Sequence, residues 1–344
     1  MEQTITARYP SNIALVKYWG KHGRQLPCNA SLSMTLSRAY TEVTLQLTEK
    51  KSKDTELDYY FEGQRNEAFQ ERVLQYVSRQ EAFSELLQHH ALRIDSYNSF
   101  PHSAGIASSA SAFAAIAAVL LRACSPVPDT SFEQEAGSLA RLGSGSACRS
   151  FYGPYALWGD LDGVAQSSDR YAIPVEAIHP HFRSMHDAIL IVEDKPKTVS
   201  SSVGHALMNH HPYAEARFRD ANRHCLEMIT ILKDGDFTSF ISITEREALS
   251  LHAMMMTSVD YYMLIKPETV HIINQIFQFR KDTGLPLCFT LDAGPNVHLL
   301  YPEYIKEDVQ AFLEHHLRSS LKSVIYDQAG TGGSISLNDR HGAI

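Results

Sequence analysis

Residues 11–36, SNIALVKYWGKHGRQLPCNASLSMTL, carry the pattern that decides the fold and points to a site. The apolar run at 13–16 predicts a strand, and it leads directly into KYWGK at 17–21. Gly20 lets the backbone turn where this strand ends. Two lysines and two aromatic side chains at the end of a rigid element suit the binding of a phosphorylated anion. Lysines beside a turn are more often solvated surface residues, so this stretch gains its meaning from three later segments.

Length and composition bound the class of protein. With 344 residues, of which 44% are hydrophobic and 20% charged, the chain can form a large core divided between two lobes. Its net charge of −8 argues against a nucleic-acid partner, because nucleic-acid surfaces are normally basic. A few buried cations can still create a local positive site, so a small anionic substrate remains compatible with this charge.

Signals for membranes, export and metal binding are weak. The sequence has no run of 18 apolar residues and no basic, apolar leader, so we expect neither a membrane span nor a signal peptide. The five cysteines form no Cys-x-x-Cys pair, which fits free thiols in a reducing, cytoplasmic compartment. The 17 histidines include no His-Glu-x-x-His pattern, so we do not expect a histidine metal site.

The first half of the chain mixes strands and helices. Alternation at Val43, Leu45 and Leu47 predicts a half-buried strand, and residues 57–61 are its expected hairpin partner. Apolar residues at helical spacing predict the remaining elements of this half. Helices are expected at 66–90, 109–121 and 131–142.

The second half is mixed in the same way. Strands are expected at 188–192, 287–291, 297–301 and 323–326, and helices at 218–232, 236–252, 267–282 and 304–321. A polar stretch near 180–187 suits a boundary between lobes. The whole pattern indicates an α+β fold.

The second informative segment, FPHSAGIASSAS at 100–111, leads into the strongest predicted helix. A helix start offers unpaired N–H groups and a partial positive charge, and small side chains let phosphate oxygens approach the backbone. Serine hydroxyls there can bind phosphate or Mg²⁺. The alternative is a simple N-cap, which explains one serine but not a long loop of small residues. Neither a P-loop nor a G-x-G-x-x-G sequence is present, which disfavours those nucleotide folds.

The third and fourth segments add an arginine and an acid. GSGSACRS at 143–150 places Arg149 among small residues, and arginine binds carboxylate or phosphate with two donors. FTLDAGPN at 289–296 places Asp292 between an apolar strand and a Gly-Pro turn. An aspartate there is commonly a turn former, but in a closed site it could orient or accept a substrate hydroxyl proton.

Taken together, the four segments resemble the diphosphomevalonate decarboxylase family of the GHMP kinase superfamily. The shared motifs are N-I-A-L-x-K-Y-W-G-K, F-P-x-x-A-G-x-A-S-S-A, G-S-G-S-A-C-R-S and F-T-x-D-A-G-P-N. The last two are highly specific, whereas the serine-rich motif alone would indicate only the superfamily. The resemblance covers most of the chain.

The resemblance implies a two-lobed α+β GHMP kinase fold. An N-terminal ATP-binding lobe at 1–185 would be similar to ribosomal protein S5 domain 2, and a C-terminal lobe at 186–344 would be ferredoxin-like. The implied reaction uses ATP and Mg²⁺ to phosphorylate the tertiary 3-hydroxyl of mevalonate 5-diphosphate. Loss of phosphate and CO₂ then gives isopentenyl diphosphate. The family is often dimeric, although the sequence identifies no homodimer interface.

The resemblance also implies residue roles. Asp292 matches the catalytic aspartate beside the 3-hydroxyl, Arg149 the arginine that holds the substrate's carboxylate, and Lys17 a lysine close to the reacting centre. Positions around the substrate's diphosphate and carboxylate are matched by Tyr18, Lys21, Ser144, Gly145, Ser146 and Ser201. The ATP site is matched by Ser96, Asn98, Gly105, Ala107, Ser108 and Ser109, of which Ser109 is also the expected Mg²⁺ ligand.

The stretch 202–213 departs from the family pattern, so the details of diphosphate binding stay open. Its histidines, His205, His210 and His211, could contact substrate, but exposed helix-end histidines are the favoured interpretation. Three alternative functions also stay open: a decarboxylase of the monophosphate, a mevalonate kinase-type relative, and a catalytically silent sensor with the same fold.

Overall fold

The computed structural model describes residues 3–50, 55–101, 106–124, 129–194 and 201–338. The strands are β1 (Gln3–Val16), β2 (Lys21–His22), β3 (Leu26–Pro27), β4 (Ser31–Glu49), β5 (Leu57–Phe61), β6 (Gln64–Arg65), β7 (His90–Asn98), β8 (Tyr155–Gly159), β9 (Ser168–Pro174), β10 (Met185–Ile191), β11 (Cys288–Leu291), β12 (Val297–Pro302), β13 (Ser323–Gln328) and β14 (Ser334–Asn338). The helices are α1 (Glu67–Val77), α2 (Ser84–His89), α3 (Ser108–Cys124), α4 (Asp129–Gly143), α5 (Pro180–Arg183), α6 (Ser201–Ala206), α7 (Ala214–Asp234), α8 (Phe237–Thr257), α9 (Pro267–Thr283) and α10 (Lys306–Phe312). In these ranges, no helix combines the length and apolar character that crossing a bilayer requires.

The two long strands β1 and β4 organise the first sheet. Its eight strands follow the order β14-β1-β4-β7-β5-β6, and β8 and β9 extend from the other half of β4. Helix α3 packs on β1 and β4 and against α4. Every residue from Ala110 to Leu121 is buried, which explains why this alanine-rich helix is apolar on all sides.

The second sheet has four antiparallel strands in the order β11-β12-β10-β13. The carboxylate of Asp327 on β13 accepts hydrogen bonds from the backbone N–H groups of Ser37, Arg38 and Ala39, at 2.9, 2.9 and 2.7 Å, and so ties this sheet to the middle of β4. Thr290 on β11 donates to the carbonyl of Ala14 on β1 at 3.4 Å. The ends of β1 and β11 are therefore held side by side.

Helices α7 and α8 form a hairpin that covers this junction. Gly235 ends α7 in the left-handed region at φ 81°, where a side chain would be strained. Asp236 then caps α8, because its side chain accepts from the N–H of Ser239 at 3.1 Å. This tight turn aligns two 21-residue helices that both contribute buried polar side chains to the site.

Most of the predicted elements are confirmed, but the pairing of β5 with β4 is wrong. β7 lies between them, antiparallel to β4 and parallel to β5. It offers β4 nine consecutive partners, more than the five-residue β5 could, so the longer ladder satisfies more backbone groups. The prediction paired strands that are consecutive in the sequence, so it missed β7, which is later in the chain and lies between them in the sheet.

Two predicted helices are interrupted. The segment 66–90 divides into α1, a 3₁₀ turn at Glu81–Phe83 and α2, and its last residue belongs to β7. The segment 304–321 contains α10 between 3₁₀ and π turns. Helical spacing located the apolar faces but not these breaks.

The expected boundary between residues 185 and 186 falls at the beginning of β10. The chain does not stay in the second lobe after that point, since β14 returns to pair with β1 in the first sheet. The division into lobes at 1–185 and 186–344 stays a prediction.

Candidate active site

Lys17 directly follows the last residue of β1 and is almost fully buried. Its ammonium Nζ donates to the carbonyl of Ala14 at 2.6 Å and to Oδ1 of Asp292 at 3.2 Å. Its own backbone is also held: the N–H donates to Oε2 of Glu247 at 2.9 Å, and the carbonyl accepts from Asn29 at 2.9 Å. Lys17, at the strand end that the sequence pattern indicated, is thus a cation held in place by hydrogen bonds to its side chain and backbone.

Asp292 faces this lysine from the turn after β11. Its side chain is 26% exposed, so the carboxylate lies at the boundary between the interior and an accessible space. Its carbonyl accepts from Nε2 of His252 at 3.1 Å, and the side chain of Asn296 holds the same turn by accepting from the N–H groups of Val192 and Glu193 at 2.9 and 3.0 Å. The acid is positioned through its backbone.

Arg149 supplies a second buried cation from the 3₁₀ segment Gly145–Phe151. Its Nε donates to Asn12 at 3.2 Å and its Nη1 donates to the hydroxyl of Ser31 at 2.5 Å. Asn12 in turn donates to the carbonyl of Ser146 at 3.3 Å. These bonds fix the plane of the guanidinium.

The electrostatics of these groups follow from their burial. Desolvation lowers the pKa of Lys17 below its ordinary value, and the negative charges of Asp292 and Glu247 oppose that shift without reversing it. Desolvation also lowers the pKa of Arg149, again with Asp292 acting in the opposite direction. The partly exposed carboxylate of Asp292 therefore acts electrostatically on both buried cations.

An aromatic wall adjoins the cations. Tyr18 packs edge-on against Trp158 with ring centroids 4.7 Å apart, and its buried hydroxyl has no hydrogen-bond partner among the described residues. A Cβ at Gly145 would come within 2.8 Å of that hydroxyl, so only glycine allows this approach. Lys21 lies on β2, where partial burial and the charge of Arg72 lower its pKa.

His205 and His211 are buried, so their expected exposure is wrong; His210 is exposed as predicted. The His205 ring lies 4.2 Å from that of Tyr18 and 4.9 Å from that of Trp19, and its Nδ1 accepts from the N–H of Gly20 at 3.0 Å. Burial, together with the charges of Lys21 and Arg149, lowers the pKa of His205 to about 3. Periodicity could not show that an α6 side chain closes over the 17–21 segment. Trp19 and Trp158 are packed in the interior, as predicted.

The serine-rich segment forms the start of α3. Ser109 lies with its hydroxyl 3.2 Å from that of Ser144, which joins the second and third sequence segments. The carbonyl of Ser108 accepts from Ser111, whose hydroxyl is 2.7 Å from that of Thr41. Thr41 also donates to Asn98 at 2.8 Å, so β7 is linked to the helix start by side chains.

The remaining predicted site residues are placed less completely. Ser96 is buried on β7 beside Asn98, and Ala107 precedes α3. Ser201 begins α6, but its side chain lies outside the described part of the structure, as does the whole of Gly105.

The start of α3 fits a nucleotide phosphate with its magnesium ion. Its small side chains allow phosphate oxygens to approach the backbone, and the paired hydroxyls of Ser109 and Ser144 are oxygen ligands of the kind that Mg²⁺ prefers. Within the described ranges, no three or more His, Cys, Asp or Glu side chains are grouped to hold a metal. A Mg²⁺ ion here would depend mainly on phosphate oxygens, as is common for this ion.

Sequence reasoning missed several residues that hold the site. Asn12 and Ser31 lie inside the quoted first segment, but their role as supports of Arg149 depends on a contact across the fold. Glu247 and His252 lie on α8 and touch Lys17 and Asp292. Their only signal was polar side chains at buried positions of an otherwise apolar helix face.

Two domain families match this chain. Residues 9–170 match the Diphosphomevalonate decarboxylase-like N-terminal domain, and residues 188–336 match the Mevalonate 5-diphosphate decarboxylase C-terminal domain. A curated relative from Ganoderma lucidum, Diphosphomevalonate decarboxylase, is 30% identical over 330 residues, which cover 90% of this chain and 81% of the relative.

Solved structures agree with these matches. One, described as MDDEF in complex with MVAPP, AMPPCP and magnesium, has a TM-score of 0.84 and 27% identity, covering 98% of this chain and 100% of its own. The mevalonate diphosphate decarboxylase from Enterococcus faecalis, described with a mevalonate diphosphate mediated ATP binding mechanism, has a TM-score of 0.83 and 26% identity over 98% and 100% of the two chains. These likenesses confirm the two-lobed GHMP kinase fold.

Proposed function

The chain belongs to the diphosphomevalonate decarboxylase family, and we propose that it carries out that family's reaction. It converts mevalonate 5-diphosphate and ATP to isopentenyl diphosphate, ADP, phosphate and CO₂. The observation that carries this conclusion is the pair formed by Lys17 Nζ and Asp292 Oδ1 at 3.2 Å, with the buried Arg149 near the same carboxylate.

Asp292 orients the tertiary 3-hydroxyl and accepts its proton during phosphorylation, and it releases that proton to solvent at its exposed edge before the 3-phosphate leaves. Its exposed edge can reach a substrate, and its Oδ1 lies 3.2 Å from the ammonium Nζ of Lys17. When the 3-phosphate leaves, positive charge develops at the tertiary carbon, and the same carboxylate stabilises it. The C–C bond electrons of the substrate's carboxylate then form the new double bond as CO₂ departs.

Arg149 holds the carboxylate that will be lost. A guanidinium whose plane is fixed by Asn12 and Ser31 loses little freedom when it binds a second planar group. Tyr18, Lys21, Ser144, Gly145, Ser146 and Ser201 surround the substrate's diphosphate and carboxylate in this proposal. The unpartnered hydroxyl of Tyr18 supports it, because a buried polar atom without a partner is costly unless a ligand supplies one.

The nucleotide binds at the start of α3. Its phosphates contact the segment that holds Gly105, Ala107, Ser108 and Ser109, and its nucleoside lies towards Ser96 and Asn98. Bound Mg²⁺, held in part by Ser109, neutralises charge on the transferring phosphoryl group. The paired serine hydroxyls support this placement.

Compartment and assembly are further parts of the proposal. The five cysteines are free thiols, which supports a reducing, cytoplasmic location. The family resemblance supports a homodimer, and sedimentation at several protein concentrations tests it.

Product analysis tests the function directly. ADP and CO₂ release should both be stoichiometric with mevalonate 5-diphosphate and much slower with mevalonate 5-phosphate. Equal or better use of the monophosphate would overturn the choice of substrate, and ADP release without CO₂ would indicate a kinase. No release of either product with any of these compounds would identify a silent member of the fold.

A further inference from the structure

Helix α8 contacts both ends of the Lys17–Asp292 pair. Oε2 of Glu247 accepts from the backbone N–H of Lys17 at 2.9 Å. His252, on the same helix, donates to the backbone carbonyl of Asp292 at 3.1 Å. One rigid element is therefore bonded to the main chain on either side of the proposed reacting centre.

Glu247 is held by charged partners of its own. Arg217 on α7 donates to its two oxygens at 2.6 and 3.2 Å, and Nδ1 of His224 lies 2.6 Å from Oε1. Arg217 also reaches the carbonyl of Lys17 at 3.4 Å. The side chain of Glu247 has no exposed surface, so this cluster is interior.

Such a cluster is expensive as a way to stabilise a fold. Taking an acid and an arginine out of water costs more than packing apolar side chains of similar volume in the same place. The position of the cluster suggests another role. Glu247 accepts a hydrogen bond from the N–H of Lys17, and Arg217 donates to the carbonyl of the same residue.

We propose that Glu247 is a positioning residue, which fixes the backbone of Lys17 opposite Asp292 and supplies a buried negative charge beside the lysine. This inference rests on the proposed function. It concerns how the lysine is kept in place and charged, and it assigns no contact between Glu247 and the substrate.

The charges that face Lys17 determine the direction in which its pKa should change when Glu247 is neutralised. Asp292 and Glu247 are the acids near its ammonium group, while Arg149, Arg217 and the neutral His252 approach from other elements. Burial lowers the pKa of Lys17, and Glu247 counteracts that shift. Neutralising Glu247 leaves Arg217 unpaired and therefore lowers the pKa of Lys17 further, so the lysine loses its proton at lower pH.

The test is Glu247→Gln, which keeps an oxygen acceptor for Lys17 but removes the charge. We expect kcat to fall about 10- to 100-fold, and the alkaline limb of the pH–kcat profile to move to lower pH by about one unit. The KM for ATP should stay within about twofold of the unmodified enzyme, because the start of α3 is untouched.

Glu245→Gln is the matched control. Glu245 is another buried acid on α8, paired with Arg280 at 2.6 Å, and it has no described contact with Lys17 or Asp292. Its replacement should lower the melting temperature while leaving kcat and the alkaline limb unchanged.

Glu247→Asp keeps the negative charge but shortens the side chain, so it tests the contact with Lys17 separately from the charge. It also tests the proposal if Glu247→Gln does not fold. The shorter acid can keep Arg217 but retreats from the N–H of Lys17, so kcat should fall while the alkaline limb stays in place. Wild-type kcat in this variant, or identical pH profiles for Glu247→Gln and Glu245→Gln, would overturn the proposal. Failure of the unmodified enzyme to release CO₂ and ADP is a different result, since it rejects the proposed function itself.

Discussion

The two sides of the candidate site are built on different physical principles. Near the end of β1, Lys17, Asp292 and Arg149 are charged residues from three segments of the chain, and hydrogen bonds to α8 and β1 hold them in place. At the start of α3, Ser108 and Ser109 are small residues that leave the backbone and hydroxyls accessible. The charged residues near the end of β1 are held in place before a substrate binds. The start of α3 instead presents backbone groups and hydroxyls to a ligand.

This difference suggests a division of labour. A fixed arrangement of charges stabilises a transition state without reorganising, so changes at the end of β1 should reduce kcat. Backbone and hydroxyl contacts bind phosphates in ground and transition states alike, so changes at α3 should raise the KM for ATP. Each prediction below tests one side against the other.

The largest effect is expected for Asp292→Asn. The amide has nearly the same shape but can neither accept the hydroxyl proton nor stabilise a neighbouring positive charge, so kcat should fall by at least about 10³-fold. The dissociation constant for ATP, from equilibrium titration, should change less than about threefold. A near-normal rate would remove the aspartate from the mechanism.

Arg149→Lys should have the next largest effect. Lysine keeps the charge but cannot bind Asn12 and Ser31 together while presenting a planar fork, so kcat/KM for the mevalonate substrate should fall about 100-fold. Steady-state kinetics with each substrate varied in turn measures this, and the KM for ATP provides the internal control. An equal loss for both substrates would contradict the division between the two sides.

The sequence predicted the charged groups of the candidate site better than the residues that support them. Lys17, Arg149 and Asp292 each follow or interrupt a recognisable pattern, and the structure brings them together. Glu247 and His252 were missed because helical spacing assigns α8 a buried face without saying what that face touches. The Glu247–Lys17 contact joins residues 230 positions apart and the His252–Asp292 contact residues 40 apart, and a pattern read along one chain contains no information on either pairing.

The same limit applies to the fold. Helix α3 was predicted because its own residues determine it, by high helix propensity and continuous apolarity. The position of β5 in the sheet was not predicted, because β7, which comes later in the chain, forms a longer hydrogen-bonded ladder with β4. Local structure followed from local sequence, whereas the pairing of β5, the breaks within two helices and the burial of His205 and His211 did not.

Ser109→Ala addresses the second side of the site. Loss of one hydroxyl near Ser144 removes an oxygen donor to phosphate or Mg²⁺, so the KM for ATP should rise about tenfold, while kcat at saturating ATP falls less than about threefold. Titrating Mg²⁺ at fixed ATP measures the metal contribution. Ser138→Ala, at a half-buried site on α4 where the hydroxyl donates to the carbonyl of Gln134, is the control and should match the unmodified enzyme.

The smallest effect concerns stability at acid pH, through His205 behind the 17–21 segment. Its folded-state pKa is about 3, below the value of about 6.5 expected in the unfolded chain, so the unfolded state binds more protons between these limits. Acidification through that window should therefore destabilise the fold by up to about 1.4 kcal/mol per pH unit. His205→Gln keeps an acceptor for Gly20 but does not titrate, so from pH 7 to pH 5 it should lose about 2 kcal/mol less than the unmodified protein.

Urea unfolding at the two pH values measures this, with His210→Gln as the control because that ring is exposed. His210→Gln should follow the unmodified protein at both pH values. If His205→Gln also follows the unmodified protein at both pH values, burial does not keep the imidazole of His205 neutral. The surroundings of Tyr18 and Lys21 would then be accessible to water. The contrast with the start of α3 would apply only to Lys17, Arg149 and Asp292.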